Sequence, residues 1–153
     1  MKLSEEVLDA RKKWLGNEHP ATITSMNNLA HTLKSLDRVG EAVDMMENCL
    51  IFYTKIFGAE HPDTLKSMYS LTIWWKDQGR FREAVEMMTK CLKLRTTVLG
   101  AEHLSTLYSM HYFARWCKDQ GRDNKAVEMM TSCVELSTKV LGAEDEDTKF
   151  NIS

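Results

Sequence analysis

Apolar residues recur along this chain at steps of three and four. Across residues 63–78 the stripe is Leu65, Met68, Leu71 and Trp75. Across 82–99 it is Ala84, Met87, Met88, Cys91, Leu92 and Leu99. Such spacing puts one apolar face on a helix. The same pattern predicts first-type helices over about 21–36, 63–78 and 105–120, and second-type helices over about 40–57, 82–99 and 124–141. Gly79-Arg80 and Gly121-Arg122 interrupt each pair, and Gly16, Gly58, Gly100 and Gly142 close the second-type helices, as glycine does just past a helix end. His19-Pro20 and His61-Pro62 restart the chain, since proline loses nothing in a first helical turn. Asp63 and Ser105 are the expected side-chain acceptors there.

These elements repeat every 42 residues. Leu15-Gly16, Phe57-Gly58, Leu99-Gly100 and Leu141-Gly142 keep that spacing, as do His19, His61 and His103, and Thr22, Thr64, Thr106 and Thr148. Residues 63–104 and 105–146 are identical at about 24 of 42 positions. The phase predicts a second-type helix in 1–17, repeats at 18–58, 59–100 and 101–142, and the start of a further repeat at 143–153. Both ends then fall inside a unit, which reads as an excerpt of a longer array.

Gly79-Arg80-Phe81-Arg82-Glu83-Ala84 resembles the turn and second-helix signature of the tetratricopeptide repeat, with Leu71, Trp75, Gly79, Phe81 and Ala84 at that family's core spacing. The period is longer than the usual tetratricopeptide length of about 34. It is similar to the form found in kinesin light chains and in fungal NB-ARC/NACHT signalling proteins. The shared pattern stands here as Leu15-Gly16, His19-Pro20, Thr22, Ser25-Met26-Asn27-Asn28-Leu29-Ala30, Gln78-Gly79-Arg80 and Glu83-Ala84-Val85. The resemblance implies an all-α, right-handed superhelix (α-solenoid) of antiparallel helix pairs, about seven helices in all. It also implies a non-catalytic protein-interaction scaffold. The chain departs from the pattern at Asp37-Arg38-Val39, Asp123, Leu104 and Asp145-Glu146.

Composition adds exclusions. Net charge is −2, which points away from nucleic acid, and no apolar run approaches the ~20 residues of a membrane span. Four cysteines without a leader suggest free thiols in the cytoplasm. Cys49, Cys91 and Cys133, spaced 42 apart, and Cys117 read as core. Successive histidines of the linker series lie a repeat apart, too far to share a metal ion, so they read as residues capping or packing on helix ends. Of the doublets Met45-Met46, Met87-Met88 and Met129-Met130, one member each is expected inside its helix pair. No phosphate-binding loop, metalloprotease motif or nucleophile elbow is present. No cofactor and no metal are expected.

The tetratricopeptide resemblance assigns ligand binding to the first helix of each pair. Its groove positions map to Thr24, Asn27, Asn28, His31 and Lys34, to Lys66, Tyr69, Ser70, Ile73 and Lys76, and to Tyr108, His111, Tyr112, Arg115 and Lys118. All avoid the apolar stripe. Their lysines and tyrosines favour an extended acidic peptide carrying an aromatic residue. The rival expectation is self-association or a spacer role in a larger NTPase-type signalling protein, with polar substitution of the first helix, such as Leu8→Glu, as its probe.

Overall fold

A computed structural model describes residues 2–119 together with Glu128, Thr131, Ser132, Glu135, Leu136 and Lys139. Six helices run through residues 2–119: α1 (Lys2–Leu15), α2 (Pro20–Ser35), α3 (Val39–Phe57), α4 (Pro62–Asp77), α5 (Phe81–Leu99) and α6 (Leu104–Asp119). No strand occurs among the described residues. The helix expected over 124–141, the fourth linker, Met129-Met130 and Cys133 lie largely or wholly outside them. The chain divides into two compact units, Met1–Met87 and Met88–Ser153, with the division inside α5.

In the first unit α2 packs against α1 and α3, and α3 also packs against α4. The predicted stripe is the core. Ile23, Met26, Leu29, Ala30 and Leu33 of α2 and Ala42, Val43, Met46 and Cys49 of α3 are buried, as are Leu65, Met68, Leu71, Trp74 and Trp75 of α4. Each fully buried aliphatic side chain contributes about 1.5–3 kcal/mol, against about 1 kcal/mol for a cap. The stripe therefore holds the pairs together, and the caps decide where helices start and stop. Met46 and Met88 are inside while Met45 and Met87 are half-buried, so one member of each of these two doublets is core.

At the helix starts the capping side chain is the linker histidine, one of the two roles expected of it, rather than Asp63 or Ser105. His19, His61 and His103 each accept through Nδ1 from the backbone N–H two residues on, that of Ala21, Asp63 and Ser105, at 3.1, 3.2 and 3.1 Å. A neutral imidazole has one acceptor nitrogen, which suits this position. Thr64 tightens the same linker by donating its hydroxyl to the Gly58 carbonyl at 2.8 Å.

The turns inside the pairs share one geometry. Arg80 N–H reaches the Trp75 carbonyl and Gly79 N–H that of Lys76, at 2.8 and 2.9 Å. Arg38 and Asp37 repeat this with Leu33 and Lys34. These paired bonds satisfy the last carbonyls of each helix, and they require a left-handed residue. Gly79 has φ +76°. Asp37, at the same register, has φ +61°, a conformation aspartate tolerates better than most residues. Phe81 departs from its expected core position: it is 43% exposed, because α5 begins there with the ring at the surface.

In the second unit Met88, Cys91, Leu92, Leu107, Phe113, Ala114, Trp116 and Cys117 are buried. Arg95 is buried with them; its guanidinium donates to the Ser105 carbonyl and the Ser109 hydroxyl at 2.7 and 2.6 Å. Lys139 pairs with Glu102.

Candidate functional site

In the first unit the expected groove residues occupy α2 and α4. Thr24, Asn28 and His31 are exposed on α2, with Asn27 and Lys34 half-buried. On α4 Lys66 is exposed, and Tyr69, Ser70, Ile73 and Lys76 are half-buried. None is core, because the apolar stripe of each helix already faces its neighbours. The two helices meet through these residues. The His31 ring sits edge-on to Trp74 with centroids 5.1 Å apart. Lys34 Nζ lies 2.9 Å from an Asp77 carboxylate oxygen. Burial against the indole, and then the nearby Lys66 ammonium, lower the His31 pKa below its ordinary value. His31 therefore favours its neutral form.

The charge of this face follows. Asp77 offsets Lys34, in an exposed pair of the kind that contributes about 0–1 kcal/mol. Lys66, exposed on α4, adds a further cation beside His31. Thr24 is engaged at home, donating to the Pro20 carbonyl at 2.9 Å. The two helices thus carry cations, amides, a neutral imidazole and a phenol, together with the half-buried Ile73. That is recognition chemistry, polar groups beside apolar surface.

The corresponding residues of the second unit lie along one face of α6. Tyr108, Arg115 and Lys118 are exposed, while His111 and Tyr112 are half-buried.

The histidines weighed as metal ligands are the helix caps. Among the described residues no group of three or more His, Cys, Asp or Glu side chains is placed to hold a metal ion. Cys49, Cys91 and Cys117 form no disulfide and are buried. Burial pushes the Cys49 thiol up to about 12 and raises that of Cys91 as well. No described helix is long and apolar enough to cross a membrane.

Two polar arrangements were not foreseen. Glu47 of α3 accepts from the Trp75 indole N–H at 2.8 Å and from Arg80 at 2.9 Å, while the Arg80 guanidinium lies 4.6 Å from the Trp75 ring centre. Glu83 takes a further Arg80 bond at 3.2 Å. The first pair carries a looser version, with Arg38 at 2.6 Å from Glu41 and 3.9 Å from Glu5. The second arrangement is Arg11, bound to the Ala21 carbonyl and the Ser25 hydroxyl at 2.8 and 2.7 Å, as Arg95 is to Ser105 and Ser109. The signal for both was the same 42-residue spacing: Glu5 and Glu47, Arg38 and Arg80, and Ser25, Ser67 and Ser109, with Arg11 and Arg95 two periods apart.

Tetratricopeptide-repeat profiles match residues 22–63 and 76–139. A crystal structure of nearly identical TPR-like repeats from Podosopora anserina, named for kinesin light chain, is similar over 98% of this chain and 71% of its own, at 30% identity and a TM-score of 0.87. The chain is a tetratricopeptide-repeat protein of the kinesin-light-chain-like type. A variant of the same Podosopora repeats matches with a TM-score of 0.88. BtubC (BKLC) from P. vanneervenii shares the fold, with a TM-score of 0.83 at 15% identity over 99% of this chain and 61% of its own. No curated protein matches the chain. The tetratricopeptide assignment places it in the α-solenoid class, among protein-interaction scaffolds.

Proposed function

We propose that this tetratricopeptide protein binds an extended acidic peptide with an aromatic side chain along the face shared by α2 and α4. The observation that supports the reading is the contact between the two helices at His31 and Trp74, with Lys66 close enough to act on His31; by register Asn28, Tyr69, Ile73 and Lys76 belong to the same helix faces. Carboxylates would meet the lysines, the asparagine amides would bond peptide groups, and an aromatic ring would lie over Ile73 and Tyr69. Neutral His31 adds a hydrogen-bonding group without a second desolvated cation. By register, Tyr108, His111, Tyr112, Arg115 and Lys118 form a binding face of α6 in its own right. The chain is read as a scaffold in the cytoplasm, without a catalytic role.

A peptide-array screen of the wild type beside a Lys66→Glu, Lys76→Glu variant tests this. Acidic aromatic peptides should bind the wild type, weaken as salt rises, and lose at least tenfold in affinity to the variant. Equal binding by both proteins, or none by either, would sink the reading.

A second reading is self-association through α1. Leu3, Val7 and Trp14 form a stripe that is 73%, 39% and 79% exposed. The residues 42 positions on are Met45, Cys49 and Ile56; Cys49 faces α2, its Sγ 3.9 Å from the Ile23 carbonyl. A first-type helix of a second copy is the occupant this stripe would take. Leu8 is the wrong probe, being 3% exposed and facing inward; Trp14→Glu is the right one.

A further inference from the structure

We infer that the exposed stripe of α1 takes α1 of a second copy of this chain, antiparallel and about a two-fold axis. The inference rests on the self-association reading and names its partner.

Leu3, Val7, Ala10 and Trp14 recur at steps of four, three and four, the seam spacing of two helices packed together, and all four are exposed. The neighbouring helix α2 leaves this seam open. Leu8, about 100° round the helix from Val7, is buried where α1 meets α2. Arg11 holds the Ala21 carbonyl and the Ser25 hydroxyl of α2 on that same side. Glu6 lies about 100° the other way from Val7, and Lys13 precedes Trp14 as Glu6 precedes Val7, so both stand on the open flank, exposed. The Lys13 ammonium is 5.9 Å from the Trp14 ring centre, at the rim of the seam.

Charge chooses the occupant. Past Lys2, the acids of α1 come first, Glu5, Glu6 and Asp9, and its bases last, Arg11, Lys12 and Lys13. An antiparallel copy sets each block against its opposite, whereas a parallel copy sets like against like. Placing Val7 level with Ala10 of the copy brings Leu3 level with its Trp14, and Glu6 within about 3 Å, along the axis, of the level of its Lys13. Two-fold symmetry makes each of these contacts twice. Register alone would seat a first-type helix on the stripe. The apolar stripes of α2, α4 and α6 are already buried within each copy, however, and none of the three carries an acidic block followed by a basic one. The stripe of α1 is bare in every copy. A contact one helix wide and about 21 Å long is small, so the dimer belongs to the weak class.

Sedimentation equilibrium across a range of chain concentrations provides the test. The chain should dimerise as concentration rises, and the emission of Trp14, the exposed indole, should shift to the blue with it. Trp14→Glu should abolish dimerisation. Glu6→Lys alone and Lys13→Glu alone should each weaken it at least fivefold by setting like charges together. The double variant Glu6→Lys, Lys13→Glu should regain it. So should a mixture of the two single variants, since one then offers lysine at both positions and the other glutamate. Lys66→Glu, Lys76→Glu should dimerise as the wild type does, which separates this contact from peptide binding. Circular dichroism checks that each variant is folded. Suppose Trp14→Glu abolishes dimerisation, but the single variants match the wild type or neither the double variant nor the mixture regains it. Another helix of the copy then sits on the stripe; the inference is overturned and self-association through α1 stands. If Trp14→Glu dimerises normally, or the wild type stays monomeric at every concentration, both fall, and a monomeric chain leaves the stripe to a different protein.

Discussion

Asp37 is the one non-glycine residue described here with a positive φ, +61°, and it stands where the next repeat has Gly79. A left-handed conformation costs an L-residue about 1–2 kcal/mol, while glycine costs about 0.5–1 kcal/mol in the entropy of the unfolded chain. Asp37→Gly should therefore stabilise the protein by about 0.5–1 kcal/mol, read as a higher midpoint in urea with an unchanged slope. An unchanged or lower midpoint would show that the aspartate side chain contributes more than its backbone costs. The turn itself was legible, because Gly79 marks it two residues before Phe81. The histidines were legible as residues that cap or pack on helix ends, but nothing in a Glu-His-Pro linker tells whether the histidine or the residue after the proline accepts the backbone N–H. Phe81 misled for a related reason: the motif fixes its register, whereas its exposure depends on what lies over the first turn of α5.

At the scale of elements, periodicity located every described helix to within a residue or two, since an apolar stripe at helical spacing has one way to be buried. The polar ties between helices were harder to see. Glu47, Trp75 and Arg80 come from α3, α4 and the turn that follows, and nothing in a single helix announces their meeting. Glu47→Ala removes the acceptor of both the indole N–H and the guanidinium, one partner being nearly buried. We expect a loss of about 1–2 kcal/mol, measured by urea unfolding. Glu86→Ala, which breaks the exposed pair with Arg82 at 3.3 Å, should stay within about 0.5 kcal/mol. Equal effects from the two would mean that the Glu47 arrangement is no more than another surface pair. The groove residues were placed on exposed or half-buried helix faces, as their register demanded. The Lys34–Asp77 pair, which reduces the charge they present, needed coordinates.

For the whole molecule, acid should act in two stages. The folded His31 pKa lies below its ordinary 6.5, so the unfolded chain takes up a proton first, and stability begins to fall slightly as pH drops from about 6.5. Hydrogen bonds from Arg38 hold Glu41 below its ordinary 4.5; Glu83 is lowered by a backbone N–H and by Arg80. Depressed carboxylates stabilise the fold above 4.5 and lose that contribution as pH falls through their folded values. Thermal melts should show a shallow decline below pH 6.5 that His31→Gln reduces, then a steeper one below 4.5 that it leaves unchanged. A single transition unaffected by His31→Gln would contradict the assignment.

The joint between Glu47 and Arg80, and its looser counterpart between Glu5 and Arg38, has a consequence for how such a chain can change in length. Glu5 and Glu47 stand on second-type helices and Arg38 and Arg80 on the turn of the repeat that follows each, while Thr89 takes the acid's place in the next repeat. Copying residues 39–80 directly behind Arg80 would leave the Glu47–Arg80 joint whole and create another beside it, with no new side-chain chemistry. An insertion one residue longer or shorter would throw every later arginine out of register. The protein is built of interchangeable parts, and lengthening by whole modules is the growth its joints permit.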